Sequence, residues 1–346
     1  MATISGSAYP LASGSGLFPA SGLGAGSPAA NAFQSNGFIP QIWSGKLVEK
    51  FYAATVLAAI SNTDYEGEIK NQGDRVKIRT KPTITIRPYS SDGTLTLERP
   101  EGSSLELFIN KGRYFNTILD DVMDVQSDLN AMSIWADDAA EQLKISVDTD
   151  VLTTILGGPA TKNKGTTAGQ ITSSINLGAT TTPLAVVPRS PTSGQVEVLD
   201  LLLRMGQALD EQNIPETGRW IVLPVWMAAQ LKFSDLRQAY LTGDSVSVLR
   251  NGRLGMIDRF TIYSSNLLPK GSLSSSGVDG AQSLAANEYV VYAGHAHGLT
   301  FASQISKVET MRSELTFGNI LRGLQVYGYQ IVDDKALVQA VVTKAA

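Results

Sequence analysis

Cysteine is absent from all 346 residues, which excludes disulfides, thiolate nucleophiles and zinc–thiolate sites and suits a chain that matures in a reducing compartment. Histidine occurs twice, so imidazole chemistry has only His295 and His297 to draw on. Charge is missing from the front: no Asp, Glu, Lys or Arg precedes Lys46, and the basic start of a secretory signal is lacking. No run of apolar residues is long enough to cross a bilayer, since the longest near the front, FYAATVLAAI, is about half the required length. No membrane partner is expected. A basic excess is lacking too: the formal net charge is -4, which argues against a surface that grips nucleic acid throughout.

What is present is an ordinary globular composition. With 43% hydrophobic residues, the chain can bury roughly three quarters of its unfolded surface, as one large irregular domain or two modest ones. Residues 1–36 are mostly Ala, Gly, Ser and Pro and cannot offset the entropy of ordering alone, so they read as an arm that needs a neighbouring surface. Residues 38–60 place Ile42, Trp43, Leu47, Phe51, Val56 and Ile60 near helical spacing, an apolar stripe for core or interface.

Between Arg75 and Ile109 the period changes to two, in Val76 and Ile78, Ile84 and Ile86, Leu95 and Leu97, Leu105 and Leu107, with SSDG as a turn. This predicts a long β-hairpin. Its first limb carries Arg75, Lys77, Arg79, Lys81 and Arg87; its return carries Glu98, Glu101 and Glu106. Either these are ordinary charges on a solvated hairpin, or they dock on a neighbouring copy of the chain. Residues 119–156 repeat apolar positions in steps of three and four, which predicts one helix of about 57 Å at 1.5 Å per residue, with Asp120 and Asp121 at its positive end. Residues 161–183 read as a polar loop or loose hairpin. A helix over 196–211, a strand at WIVL, a short helix after Pro224 and the glycine-spaced bend and strand of NGRLGMIDRFTIYSSN follow. The chain ends in strands.

Sites of chemistry are hard to find. GHAHG could begin a metal site, but a third ligand would have to come from afar, and a polar turn between strands explains it as well. GGPATKNKGTT lacks the spacing of a phosphate loop. Asp120 with Asp121 and Asp137 with Asp138 point about 100° apart on a helix, which suits solvated carboxylates better than an acid–base pair. YGY at 327–329 lacks the basic neighbours of a base-stacking platform and suits strand packing. No catalytic, cofactor or metal residue is assigned, and the chain is not expected to be an enzyme.

The order of arm, charged hairpin, spine-length helix and inserted α/β unit resembles the major capsid proteins of tailed double-stranded DNA bacteriophages, of the HK97 fold. FIPQIWSGKLVEKFYAATVLAAISNTDYEGEIKNQGDRVKIRT is similar to the opening of one such coat-protein group, GRWIVLP and NGRLGMIDRFTIYSSN to its central A-domain, and LRGLQVYGYQIVDDKALVQAVV to its closing strands. The resemblance implies an α+β fold with an N-terminal arm and leading helix over 1–60, an extended hairpin called the E-loop over 61–115, a P-domain with a spine helix and polar loop over 116–194, a mixed α/β A-domain over 195–300, and closing strands over 301–346. It further implies hexamers and pentamers in an icosahedral shell, a scaffolding protein, a portal, a decoration protein and loosely held double-stranded DNA, with assembly in the host cytoplasm. Contact candidates between copies are Trp43, Arg75, Lys77, Arg79, Lys81, Arg87, Glu98, Glu101 and Glu106. An encapsulin-like compartment shell, which shares the fold but encloses enzyme cargo, is the alternative.

Overall fold

The structure, a computed structural model, describes residues 52–69, 75–82, 84–89, 91, 97–102, 104–121, 131–234, 255–271, 274–277, 280–314 and 316–345. All of them fall in the second of two units, Phe51–Ala346; the arm and Trp43 belong to the first, Met1–Lys50, and lie outside the described residues.

In chain order the helices are α1 (Leu57–Ile60), α2 (Glu66–Ile69), α3 (Ala131–Thr154), α4 (Val198–Glu211) and α5 (Val225–Phe233). The strands are β1 (Arg75–Arg79), β2 (Ser104–Phe108), β3 (Lys111–Asp120), β4 (Leu184–Val187), β5 (Gln195–Glu197), β6 (Arg219–Leu223), β7 (Met256–Ile257) and β8 (Phe260–Ser264). After these come β9 (Ser274–Gly277), β10 (Gly280–Ser283), β11 (Glu288–His295), β12 (Leu299–Arg312), β13 (Gly318–Ile331) and β14 (Leu337–Lys344).

A seven-stranded mixed sheet, in the order β5-β4-β14-β11-β6-β8-β7, is covered on both faces. Alternation explains how. Ile221 and Leu223 of β6 and Val338, Ala340 and Val342 of β14 join α4 and α5 in one core. Trp220 and Val222, with Leu337 and Val341, join Val147, Val151 and Leu152 of α3, and Ile155 and Leu156 just past its end, in the other. The final strand thus runs through the middle of this sheet, parallel to β4 and antiparallel to β11. A three-stranded antiparallel sheet, β12-β13-β3, holds two fourteen-residue strands with a bulge between Ser303 and Ile305. The β1–β2 hairpin stands on it through a small core of Ile78, Leu107, Ile109 and Ala302.

Three expectations change. Tyr52–Val56 precede α1 without helical structure, so among the described residues the leading helix is reduced to four residues. Leu119 and Asp120 close β3 and do not open the spine, whose described part is the 24-residue α3. The apolar steps of three and four in residues 119–156 run across both elements, since β3 contributes Leu119 to the core while α3 contributes Val147 and Val151. The loop at 161–183 is more than a polar excursion: Ala168, Ile175 and Leu177 are buried beside α4, and Asn163 donates to the Lys335 and Leu337 carbonyls.

Candidate assembly surface

The base of the hairpin is fixed by β-sheet chemistry. Val76 faces Leu107, Ile78 faces Leu105 and Lys77 faces Glu106 in the antiparallel register, so apolar side chains share the core face and charged ones the other. Glu106 sits between two cations, 3.5 Å from Arg75 Nη1 and 3.4 Å from Lys77 Nζ, and the Arg75 guanidinium lies 5.4 Å from the centre of the Phe108 ring. Further out, Arg87 Nη2 donates to Glu98 Oε1 at 2.9 Å, and Glu98 Oε2 accepts the Thr85 N–H at 3.2 Å. That backbone hydrogen bond, then the Arg87 contact, keeps the Glu98 carboxyl below its ordinary pKa. Of the nine contact candidates, therefore, Arg75, Lys77 and Glu106 hold the hairpin base together and Arg87 with Glu98 ties the two limbs. Arg79, Lys81 and Glu101 are exposed and make no ion pair among the described residues.

Beyond Arg79↔Ser104 the ladder stops among the described residues. Here the chain is apolar and uncovered: Ile84 is 63% exposed, Ile86 89%, Tyr89 81% and Leu97 96%. Large aliphatic side chains so fully in water mark an interaction surface, because their burial stabilises by about 1.5–3 kcal/mol each.

The sheet beneath presents a second uncovered face. Lys307, Leu324 and Tyr114 align across β12, β13 and β3; Glu309, Arg322 and Asn116 form the next row, and Met311, Ile320 and Ile118 the third. Tyr114 is 79% exposed and Ile118 49%, while Glu309 takes both Lys307, at 2.7 Å, and Arg322. These two contacts hold the Glu309 carboxyl low.

Residues that sequence reasoning passed over join the spine to this sheet. Asp150 of α3 accepts Lys111 Nζ at 2.9 Å and the Tyr327 hydroxyl at 3.0 Å, and the Tyr329 hydroxyl donates to Thr154 Oγ1 at 2.6 Å. Burial works against the Lys111 charge, yet hydrogen bonds to Tyr329 and Asp150 hold the ammonium above its ordinary pKa. Two residues earlier, and so on nearly the opposite side of α3, buried Asp148 accepts the N–H groups of Val56 and Leu57 at 3.1 and 3.0 Å, fixing the segment that leads into α1. The usable signal was two carboxylates, Asp148 and Asp150, set among the apolar positions Val147, Val151 and Leu152 of the helix.

The residues weighed for chemistry take these places in the fold. The backbone N–H of His297 donates to His295 Nδ1 at 3.1 Å within the turn joining β11 and β12. Burial, then the neighbouring His297, pushes the His295 pKa down. No group of three His, Cys, Asp or Glu able to hold a metal occurs among the described residues. Lys164 Nζ donates to the Gly157 carbonyl just past the end of α3, and Asp121 pairs with Arg312 through two hydrogen bonds. Tyr327 and Tyr329 stack with ring centres 6.4 Å apart. Among the described residues no helix is long and apolar enough to cross a membrane.

A family model described as phage capsid protein matches residues 111–340, which run from β3 through the seven-stranded sheet into β14. The chain belongs to the phage capsid protein family. No curated protein matches it in sequence. Among solved structures, one from Mycobacterium phage Che8 is 24% identical, with a TM-score of 0.66 over 88% of this chain and 97% of that one. A capsid structure of the cyanophage P-SCSP1u has the same TM-score at 14% identity, over 90% and 94% of the two chains. The mature capsid of bacteriophage PhiM1 gives 0.60 at 16% identity, over 88% and 91%. This capsid protein is accordingly α+β with the HK97-like fold, and forming the phage shell is its task.

Proposed function

We propose that copies of this capsid protein close an icosahedral shell of hexamers and pentamers in which the hairpin of each copy overlies its neighbour. The observation that carries the reading is the uncovered apolar outer hairpin, Ile84, Ile86, Tyr89 and Leu97, on a strand pair braced by its own ion pairs. In this reading the E-loop spans 61–115, the P-domain 116–194, the A-domain 195–300 and the closing strands 301–346, and Arg79, Lys81 and Glu101 reach across to the next copy. Trp43, on the apolar stripe of residues 38–60 that follows the arm, also meets a neighbour. A scaffolding protein guides closure in the host cytoplasm, a portal occupies one vertex, a decoration protein binds outside, and double-stranded DNA is held loosely within. The protein's work is mechanical, with no catalytic step. The phage capsid family match favours a virion over an encapsulin-like cargo compartment.

Ile86→Asp tests this. It places a charge where an apolar contact forms in the shell while leaving the subunit's own core untouched, so the unassembled variant should melt within about 0.5 kcal/mol of wild type. Particles counted by negative-stain imaging should fall at least tenfold. Normal particle yield from the variant would refute the overlapping hairpin.

A further inference from the structure

The outer hairpin carries a strand in search of a ladder. Residues 84–87 read Ile-Thr-Ile-Arg, among the strongest β-formers in the chain, and prolines at 82 and 88 bound them. The Thr85 N–H goes to the Glu98 carboxylate on the return limb, and the backbone ladder of β1 and β2 does not extend to these residues among the described ones. Thr85 thus turns its amide to the return limb, and once the segment is drawn out as a strand, where alternate amides point to opposite edges, those of Ile84 and Ile86 face outward.

A matching edge exists elsewhere in the chain. β12 is the outer strand of its sheet, with β13 on one side only. At its base the outer edge already takes a foreign segment: Asn62 donates to the Leu299 carbonyl and accepts the Phe301 N–H, both at 2.9 Å. Past the bulge, the Ser313 N–H bonds to the Gly318 carbonyl at the hairpin end, so Lys307, Glu309 and Met311 turn their amides to β13, and Val308 and Thr310 turn theirs outward. No strand covers that outer edge among the described residues, and Val308 is 58% exposed.

We infer that residues 84–87 of one copy add as a short strand to the outer edge of β12 at Val308 and Thr310 of another, so that backbone hydrogen bonds, with Ile84 and Ile86 covered, lock neighbouring subunits together. The occupant is a second copy because the chain belongs to a shell-forming family and its own sequence supplies both edges, each exposing two outward amides. Pro82 and Pro88 limit the strand to one turn of the ladder and so set its register. The inference rests on the shell reading and specifies its contact.

Hydrogen exchange on assembled particles and on unassembled subunits tests it. The Ile84, Ile86, Val308 and Thr310 amides should exchange at least tenfold more slowly in particles; equal rates in both forms would overturn the ladder. Val308→Pro and Thr310→Pro, made singly, each delete one outward donor and leave the bonds to β13 in place, whereas Val308→Thr keeps the donor. Each proline variant should raise the concentration needed for assembly at least tenfold, with Val308→Thr near wild type. Wild-type-like assembly of both proline variants rejects the strand addition while leaving the shell intact. A wild-type chain that forms no particles with or without scaffold removes the shell reading itself, and this contact with it.

Discussion

Asp148 is almost fully closed off from water, and among the described residues it accepts hydrogen bonds from the Val56 and Leu57 amides. Burial raises its pKa, and those two hydrogen bonds oppose the rise. Because the folded-state value lies above the unfolded one, the folded state favours the protonated acid. That contribution is complete below about pH 4 and is lost as pH rises through the folded pKa. Asp148→Ala should destabilise the unassembled subunit by about 2–4 kcal/mol, since two buried donors lose their acceptor. Asp148→Asn keeps one acceptor without the charge, so its stability relative to wild type should improve as pH rises from about 4 in urea titrations; pH profiles parallel from pH 4 upward would contradict the assignment. A second residue-scale feature is the turn between β7 and β8. Asp258 and Arg259 form it with φ of 45° and 66°, whereas the bend read between Gly252 and Gly255 lies, apart from Gly255, outside the described residues. Arginine accepts the left-handed backbone because its guanidinium reaches Asp210 at 2.9 Å and Glu216 at 2.9 Å. Arg219 reaches the same Asp210 at 2.6 Å, and although burial works against its charge, the two arginines hold the Asp210 carboxyl below its ordinary pKa.

Between elements, close approach is decided by a few glycines. Gly328 sits where β13 crosses the end of β2, and a Cβ there would run into the Phe108 carbonyl and the Ile109 backbone. Backbone cannot move aside as a side chain can, so Gly328→Ala should cost about 3 kcal/mol in chemical denaturation, and a loss below about 1 kcal/mol would show that the strands can part. Elements with a strong period were legible in the sequence. Alternation gave the hairpin base and the closing strands, and helical spacing gave α4, because each buries one continuous face. The boundary between β3 and the spine was not legible, since Leu119 and Val151 are both buried but in different elements. The charges of the hairpin were found by pattern, but pattern could not separate Glu106, which braces its own strands, from Glu101, which has no such partner among the described residues. Nor could it show that Asp150, thirty-nine residues from Lys111 in sequence, is the rivet between spine and sheet.

Across the whole molecule, net charge bears on the proposal that DNA is held loosely within the shell. Each copy carries a formal -4, and many of its described cations already have carboxylate partners: Arg75 and Lys77 with Glu106, Arg322 with Glu309, Arg312 with Asp121. A cation neutralised within the subunit releases few counterions from DNA, and counterion release is what makes DNA binding tight and salt-sensitive. Weak contact suits a container, because a genome gripped at every copy could be neither packed nor released. Unassembled subunits should therefore bind a duplex of about 30 base pairs only weakly, with log K falling by a slope of less than about 2 against log salt between 50 and 200 mM, as followed by fluorescence anisotropy. A slope of about 6 or more would mean a basic surface that grips phosphate, and the loosely held genome would have to be abandoned while the shell contacts themselves stood.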